Sequence, residues 1–334
     1  MSVTIYDVAK AAGVSIATVS QVVNNTGNMR DSTRQRVLKV IEELEYHPNV
    51  MATALTGKET KTIGLIVPDI SNPFFSNMAK SIEDYAHEKE MSVIICSTNY
   101  DRDKEHKYIK LLKQKRVDGF IIASTFKDQS LFEKLIKKKK PLVLLSIDDP
   151  SIEVSKVSID DFQGGFLATN HLIEKGHRNI AIVAEEAYSS RKRIYGYREA
   201  HEQANITLKE KNILHTTATI ENGKRIFRKL IGRGEAERPT AIFASNDLLA
   251  IGIIHEATQH QIHIPEDISV VGFDNTILAS TSVPGLTSVA QPMEDMGRKS
   301  VEVLINQIEN DDASNERFLY NPELIIRETT MEKK

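Results

Sequence analysis

Several residues that stand just beyond apolar runs carry the side chains with which a protein holds a small polar molecule. Asp69, Asn72, Phe74 and Phe75 follow TIGLIVP, Asp148 and Asp149 follow PLVLLS, Arg191 and Arg193 precede a YGY turn, Asn246 follows AIFAS, Asp274 closes ISVVGFD, and Gln291 lies further on. Carboxylates and amides exchange hydrogen bonds with adjacent hydroxyls, an arginine forks across two oxygens, and aromatic faces cover the apolar surface of a sugar ring. A small sugar or sugar derivative suits that mixture. Read singly, Asp274 in GFDN and Asn246 in SND serve equally well as turn or cap residues, and Asp69 as a cap of the following helix. An arginine aimed into a cleft has no such structural role.

The elements that position these residues follow from hydropathy. From Lys61 onward TIGLIVP, SVIICS, GFIIA, PLVLLS, NIAIVA, AIFAS and ISVVGFD alternate with amphipathic stretches, which predicts buried parallel strands each followed by a helix. The architecture implied is α/β, a doubly wound parallel sheet repeated to give two lobes, with ligands bound beyond the carboxyl ends of the strands. Ahead of it, Ile5, Val8, Ala9 and Ala12 recur at helical spacing, Gly13 permits a sharp turn, and Val19, Val22 and Val23 form a second stripe. That is a helix-turn-helix pattern, with Ser15 as cap of the second helix. The face opposite the valines carries Ile16, Ala17, Ser20 and Gln21, a mixed polar and small surface that fits a DNA major groove. A plain helical hairpin covering a core shares the spacing. Asp31 or Ser32 caps a third helix with Val37, Val40, Ile41 and Leu44 on one side.

Composition narrows the classes. A chain of 334 residues that is 40% hydrophobic can bury more than one core. The formal charge of -3 does not announce a nucleic-acid binder, but Lys10, Arg30, Arg34, Arg36 and Lys39 precede the acidic Glu42, Glu43 and Glu45, so the first unit can present a positive side. Cys96 is the sole cysteine, which excludes a disulfide within one chain. No apolar signal core or bilayer-length run is present, so a cytoplasmic protein with no membrane partner is expected.

Catalytic and metal signatures fail. HEATQH, from His255 to His260, sets its histidines five apart, about 140 degrees around a helix, so one ion cannot take both. GKET at Gly57 lacks a phosphate-loop spacing, and Gly164 with Gly165 makes no dinucleotide fingerprint. No catalytic residue, metal or cofactor is assigned. A sugar-converting enzyme and a sugar carrier are the alternative classes.

The wording of the first segment, YDVAKAAGVSIATVSQVVNN, closely resembles the amino-terminal signature of the lactose/galactose repressor (LacI/GalR) family, and later motifs extend the resemblance across nearly the whole chain. The resemblance implies a helix-turn-helix DNA-binding domain over residues 1–47, a hinge helix and linker over 48–60, and a periplasmic-binding-protein-like region over 61–334 that binds the effector and dimerises. By the same analogy the first lobe takes about residues 62–160 with 291–320 and the second about 161–290 with 321–330, the chain crossing between them.

In that family Ile16, Ala17 and Gln21 occupy positions that read bases, while Tyr6, Ser15, Thr18, Ser20, Asn24, Thr33 and Arg34 match positions that contact phosphate. Within VMATALTG, Leu55 matches a leucine that wedges between base pairs in the minor groove, with Ala52 beside it; an inert linker is the plainer reading. Many members place at the position of Gln21 an arginine that reads guanine. Glutamine pairs with adenine, so an operator shifted toward A and T opposite Gln21 is expected. The cleft set is similar to the pentose-binding pattern of periplasmic ribose-binding proteins, in which NPFF, an arginine, an asparagine, an aspartate and a glutamine converge. The implied function is a transcriptional regulator, most simply a repressor, binding a roughly palindromic double-stranded operator as a homodimer under a sugar-like effector. A purine or a phosphorylated carrier protein is the alternative effector, since other members use them. The Lys137 to Lys140 run reads as a solvated helix end, or as a surface for an acidic protein coregulator.

Overall fold

A computed structural model describes residues 3–23, 26–46, 60–123, 126–137, 140–310 and 312–333. The chain falls into two compact units, residues 1–60 and 61–334. Asn24, Ala52 and Leu55 lie outside the described residues, as does the rest of the segment 50–57.

In the first unit α1 (Ile5–Ala12) and α2 (Ile16–Val23) are followed by α3 (Asp31–Glu43). Gly13 turns the chain at φ 62, a left-handed conformation that costs glycine little. The Thr18 backbone N–H donates to Ser15 Oγ at 3.1 Å, the cap expected from sequence. Val8, Ala9, Ala12, Val19, Val22 and Val37 are buried together, with Val40, Ile41 and Leu44 packed against them. One boundary differs from the sequence reading. Arg30, not Asp31 or Ser32, holds the N-cap position of α3, and Asp31 is the first helical residue, where its carboxylate complements the positive end of the helix.

From Lys61 the chain alternates strand and helix: β1 (Thr62–Val67), α4 (Pro73–Glu88), β2 (Ser92–Ser97), α5 (Arg102–Gln114), β3 (Gly119–Ile122), α6 (Gln129–Lys137), β4 (Leu142–Leu145) and β5 (Ser155–Ile159). It then crosses into α7 (Asp161–Glu174), β6 (Ile180–Ala184), α8 (Tyr188–Gln203), β7 (Ile213–His215), α9 (Ile220–Ile231), β8 (Ala241–Ala244), α10 (Asp247–Gln259), β9 (Ser269–Asp274), α11 (Ile277–Thr281) and β10 (Thr287–Ala290). It returns as α12 (Met293–Glu309) and β11 (Arg317–Tyr320), then crosses back as β12 (Glu323–Ile325).

The strands form two six-stranded sheets, ordered β11-β5-β4-β3-β1-β2 and β12-β10-β9-β8-β6-β7. All described pairings are parallel except β10 with β12. Each sheet is buried on both faces, as parallel sheets require. In β1, Ile63, Leu65 and Val67 join the core under α4 and α12, while Ile66 joins the core that also holds Ile109 and Leu112 of α5. In each sheet the strand order reverses beside the first strand of the lobe, between β1 and β3 and between β6 and β8. A crevice opens there past the carboxyl ends.

Candidate functional site

Two surfaces carry the residues singled out from sequence. On α2, Val19 and Val22 are buried, whereas Ile16, Ala17 and Gln21 are exposed one helical turn apart on the opposite side. Gln21 lies against Gly27, whose φ of 83 turns the chain after the helix. Tyr6 is 68% exposed on α1 and Ser15 is exposed at the start of α2, its hydroxyl 2.9 Å from that of Thr18. Thr18, Ser20, Thr33 and Arg34 are half-buried. The helix therefore exposes a small, uncharged face.

The second surface is a cleft between the two lobes of the larger unit, about 620 Å³ counting its open mouth. The first lobe contributes Pro68, Asn72, Phe74, Phe75, Tyr100 and Ser146, backed by Ala123 and Ile147. Opposite them stand Glu185, Tyr188, Ser189, Arg193, Asn246 and Asp274. Pro68, Ala123 and Ser146 follow β1, β3 and β4, and Glu185, Asn246 and Asp274 follow or end β6, β8 and β9, so both switch points face the same space.

Backbone geometry aims several of these side chains. Tyr100, Ser146 and Asp274 adopt φ of 54, 58 and 102, a region costly for residues with a side chain and concentrated where function demands it. Asn72 caps α4 by accepting from the Phe74 N–H at 3.1 Å, and Asn246 caps α10 by accepting from the Leu249 N–H at 3.0 Å. Each amide oxygen thereby spends one of its two lone pairs on the helix end, and the amide nitrogen can donate to a ligand. For Asn246 cap and cleft residue are one role; its Nδ2 lies 3.5 Å from Glu185 Oε1. Phe74 and Phe75 meet edge to face at 5.0 Å.

Arg193 is held from every side. Its Nε donates to Asp161 Oδ1 at 2.8 Å, its Nη1 donates to the Ser245 carbonyl, and its guanidinium lies 3.5 Å from the centre of the Phe273 ring. Gly165 and Gly196 make this possible. A Cβ on Gly165 would overlap the Arg193 backbone and one on Gly196 the Phe162 carbonyl, so α7 and α8 approach backbone to backbone. Of the pair that fails as a nucleotide motif, Gly165 serves helix packing and Gly164 leaves room for the Phe273 ring.

Burial dominates the electrostatics. It pushes the carboxyls of Asp274, Glu185 and Asp161 up, each opposed by the nearby Arg193 charge. Burial also raises the Tyr100 phenol, helped by the charges of Glu185 and Asp69. Gln291 is buried behind the cleft, its Nε2 donating to Asp274 Oδ1 at 2.7 Å. Among the described residues three buried side-chain polar atoms find no hydrogen-bond partner: Ser190 Oγ, Ser245 Oγ and Gln291 Oε1. All belong to residues next to, or bonded to, the cleft lining. Unsatisfied polar atoms gathered at one place mark where a polar ligand or ordered water belongs.

Besides Gln291, four residues singled out from sequence lie off this lining: Asp69, Asp148, Arg191 and Asp149, whose Oδ1 accepts from the Ser151 N–H and hydroxyl at 2.9 and 2.6 Å. Asp69 Oδ1 accepts from the Ser71 N–H and hydroxyl at 2.9 and 2.7 Å, an Asx turn ahead of α4 rather than its cap. Asp148 is taken by Arg317, whose Nε and Nη2 reach its two oxygens at 2.6 and 2.7 Å. Arg191 lies 5.5 Å from the centre of the Tyr188 ring instead of pointing inward, because two positions along a helix it faces away from Arg193. Conversely, Tyr100, Ser146, Glu185, Tyr188 and Ser189 line the cleft without having been singled out. Glu185 directly follows NIAIVA and Ser146 closes PLVLLS, so the strand-end rule reaches both; Tyr100 lies on a loop and Tyr188 and Ser189 open α8, and only folding brings these three to the cleft.

Comparison with known proteins agrees with this arrangement. Residues 4–49 match the bacterial regulatory proteins of the lacI family, and residues 169–330 match the periplasmic binding protein-like domain. The chain is 44% identical to the HTH-type transcriptional regulator DegA of Bacillus subtilis (strain 168), over 99% of this chain and 98% of that one. Among solved structures, the lac repressor dimer bound to operator and the anti-inducer ONPF is similar with a TM-score of 0.87, at 27% identity, covering 99% of this chain and 100% of that one. A LacI family transcriptional regulator from Enterococcus faecium with bound ribose is similar with a TM-score of 0.73, at 31% identity, covering 82% of this chain and 100% of that one. Matched end to end by a regulator at this identity, the chain belongs to the LacI family of bacterial transcriptional regulators.

Proposed function

We propose that this regulator is a repressor that binds a roughly palindromic operator as a homodimer, through Ile16, Ala17 and Gln21, and that a small sugar or sugar derivative in the cleft controls it. The observation that carries the reading is the convergence of amide donors, carboxyl oxygens and aromatic faces on one cleft, with the orphaned polar atoms around it. Ribose in the Enterococcus faecium relative supports the sugar, and the operator-bound dimer of the lac repressor supports the stoichiometry. The contacts to phosphate from Tyr6, Ser15, Thr18, Ser20, Asn24, Thr33 and Arg34 set register and salt dependence, not sequence choice. Leu55 with Ala52 supplies the minor-groove wedge. Asp274, Asn246, Arg193, Asn72, Phe74 and Phe75 hold the effector, with Gln291 behind Asp274. An effector regulates only by binding one lobe arrangement more tightly than another.

Half-sites varied at one base pair test the DNA reading. Gln21→Arg should move the preferred base opposite residue 21 from A toward G by about 1–3 kcal/mol of discrimination. An unchanged preference sinks the assignment of Gln21. For the effector, a thermal-shift screen of pentoses, hexoses and purines should show one sugar raising the melting point with occupancy and altering operator affinity.

A further inference from the structure

We infer that the cleft selects an uncharged, hydroxyl-rich effector and rejects the phosphorylated or carboxylated counterparts of the same molecule. This rests on the reading of the cleft as a sugar-like effector site, and it adds the charge of the ligand.

Among the described lining residues Arg193 is the only cation, set against Glu185 and Asp274. Its charge is already matched. Asp161, itself buried, holds the guanidinium Nε at 2.8 Å, the Ser245 carbonyl takes Nη1, and the Phe273 ring covers one face. A free phosphate-binding arginine presents an open fork to its ligand; this one has spent half of its fork on the protein. Glu185 and Asp274 cannot replace it, because a carboxyl group is anionic or neutral at any pH and never a counter-ion for phosphate. Among the described lining residues, the wall formed by the first lobe offers amide, hydroxyl, aromatic and aliphatic groups and no charge of either sign.

Arg191 and Lys192 are the cations that could argue otherwise. Each lies 5.5 Å from the centre of the Tyr188 ring, outside the lining. A phosphate ester carries about 1.5 to 2 negative charges near pH 7. Placed in the cleft it would lose water, meet two carboxyls and find no unmatched cation among the described lining residues. Sugar hydroxyls meet none of these obstacles: they can donate to Glu185 and Asp274 and accept from the Nδ2 groups of Asn72 and Asn246.

The test uses the full-length protein and matched pairs: ribose with ribose 5-phosphate, glucose with glucose 6-phosphate, and adenosine with its 5′-monophosphate, at pH 8. Dissociation constants come from thermal shift or calorimetry. The neutral member of one pair should bind, and its phosphate ester at least about 100-fold more weakly, the scale of several kcal/mol for like charges brought together. In Glu185→Gln, which removes an ionisable carboxyl and keeps the shape, that gap should narrow by about tenfold. An ester that binds wild-type protein as tightly as its neutral partner overturns the charge rule while leaving an effector site in place. So does a gap that Glu185→Gln leaves untouched, which would point to steric exclusion. Binding by adenosine alone with its monophosphate rejected upholds the charge rule and overturns the sugar. If neither member of any pair binds, both the charge rule and the sugar reading fall.

Discussion

The two walls of the cleft are built by the same topology and present opposite chemistry. Pro68, Ala123 and Ser146 follow strands β1, β3 and β4, with Asn72, Phe74 and Phe75 at the start of α4 and Tyr100 beyond β2; Glu185 and Asn246 follow β6 and β8 and Asp274 ends β9, with Arg193 beside them. The second lobe therefore carries the charge, a buried ion pair and the orphaned Ser190 and Ser245 hydroxyls, whereas the first carries rings and amides. On the effector reading proposed above, the second lobe would select the hydroxyl pattern and the first would supply ring contacts common to all ligands.

The largest effect should come from breaking the ion pair of the second lobe. Arg193→Ala strands Asp161, 6% exposed, without its partner, and should lower unfolding stability by about 3–5 kcal/mol in a urea titration, besides abolishing effector binding. A loss below about 1 kcal/mol would mean that the pair is not buried as described.

Asp274→Asn is milder, because asparagine also tolerates the φ of 102. It should weaken the effector about tenfold while the protein stays folded. Its pH dependence has a definite sign. Burial raises the folded-state value of Asp274 well above 3.8, so the folded state binds the proton more tightly than the unfolded chain does. Wild-type stability relative to Asp274→Asn should accordingly rise as pH falls from that raised value toward 3.8, and the difference should be flat above it. Melting curves from pH 8 to pH 5 check this, and a difference that shrinks toward acid contradicts it.

On the first lobe, Phe75→Ala should cost about threefold to tenfold in affinity for every neutral ligand alike, the scale of one partly buried aromatic contact. A change in which stereoisomer is preferred would break the division between walls. The smallest effect is expected of Asp148→Asn. Its carboxylate is held by Arg317 away from the lining, so effector affinity should stay the same and stability should fall by no more than about 1 kcal/mol.

These contrasts also mark what could be read without coordinates. The outward face of α2 was legible because one helix carries all of it: residues 16, 17, 20 and 21 share a side by helical period alone, whatever the rest of the chain does. The strands TIGLIV, LVLL and SVVGFD announced themselves by continuous apolar runs, and with them the residues just beyond their ends. Other strands gave no such sign. Ser155, Lys156 and Ser158 of β5 are buried, and so are Thr287 and Ser288 of β10. Ser155 is satisfied by Gln307 and the Glu316 N–H, Thr287 by Thr329 and Ser288 by Asp247, partners distant in sequence, so hydropathy could not mark these segments as interior.

Local period and apolar run length thus determined from sequence the helix-turn-helix, the alternating strands and helices, and the strand-end rule that reached Asp274, Asn246 and Asn72. Only the tertiary structure decided which polar residues meet. It sent Asp148 to Arg317 and Asp69 to a turn, brought Tyr100 to the cleft on a strained loop, and matched Arg193 with Asp161. The reason is physical: a hydrogen-bond partner is chosen by distance in space, and the crossings between lobes, not spacing along the chain, determine that distance.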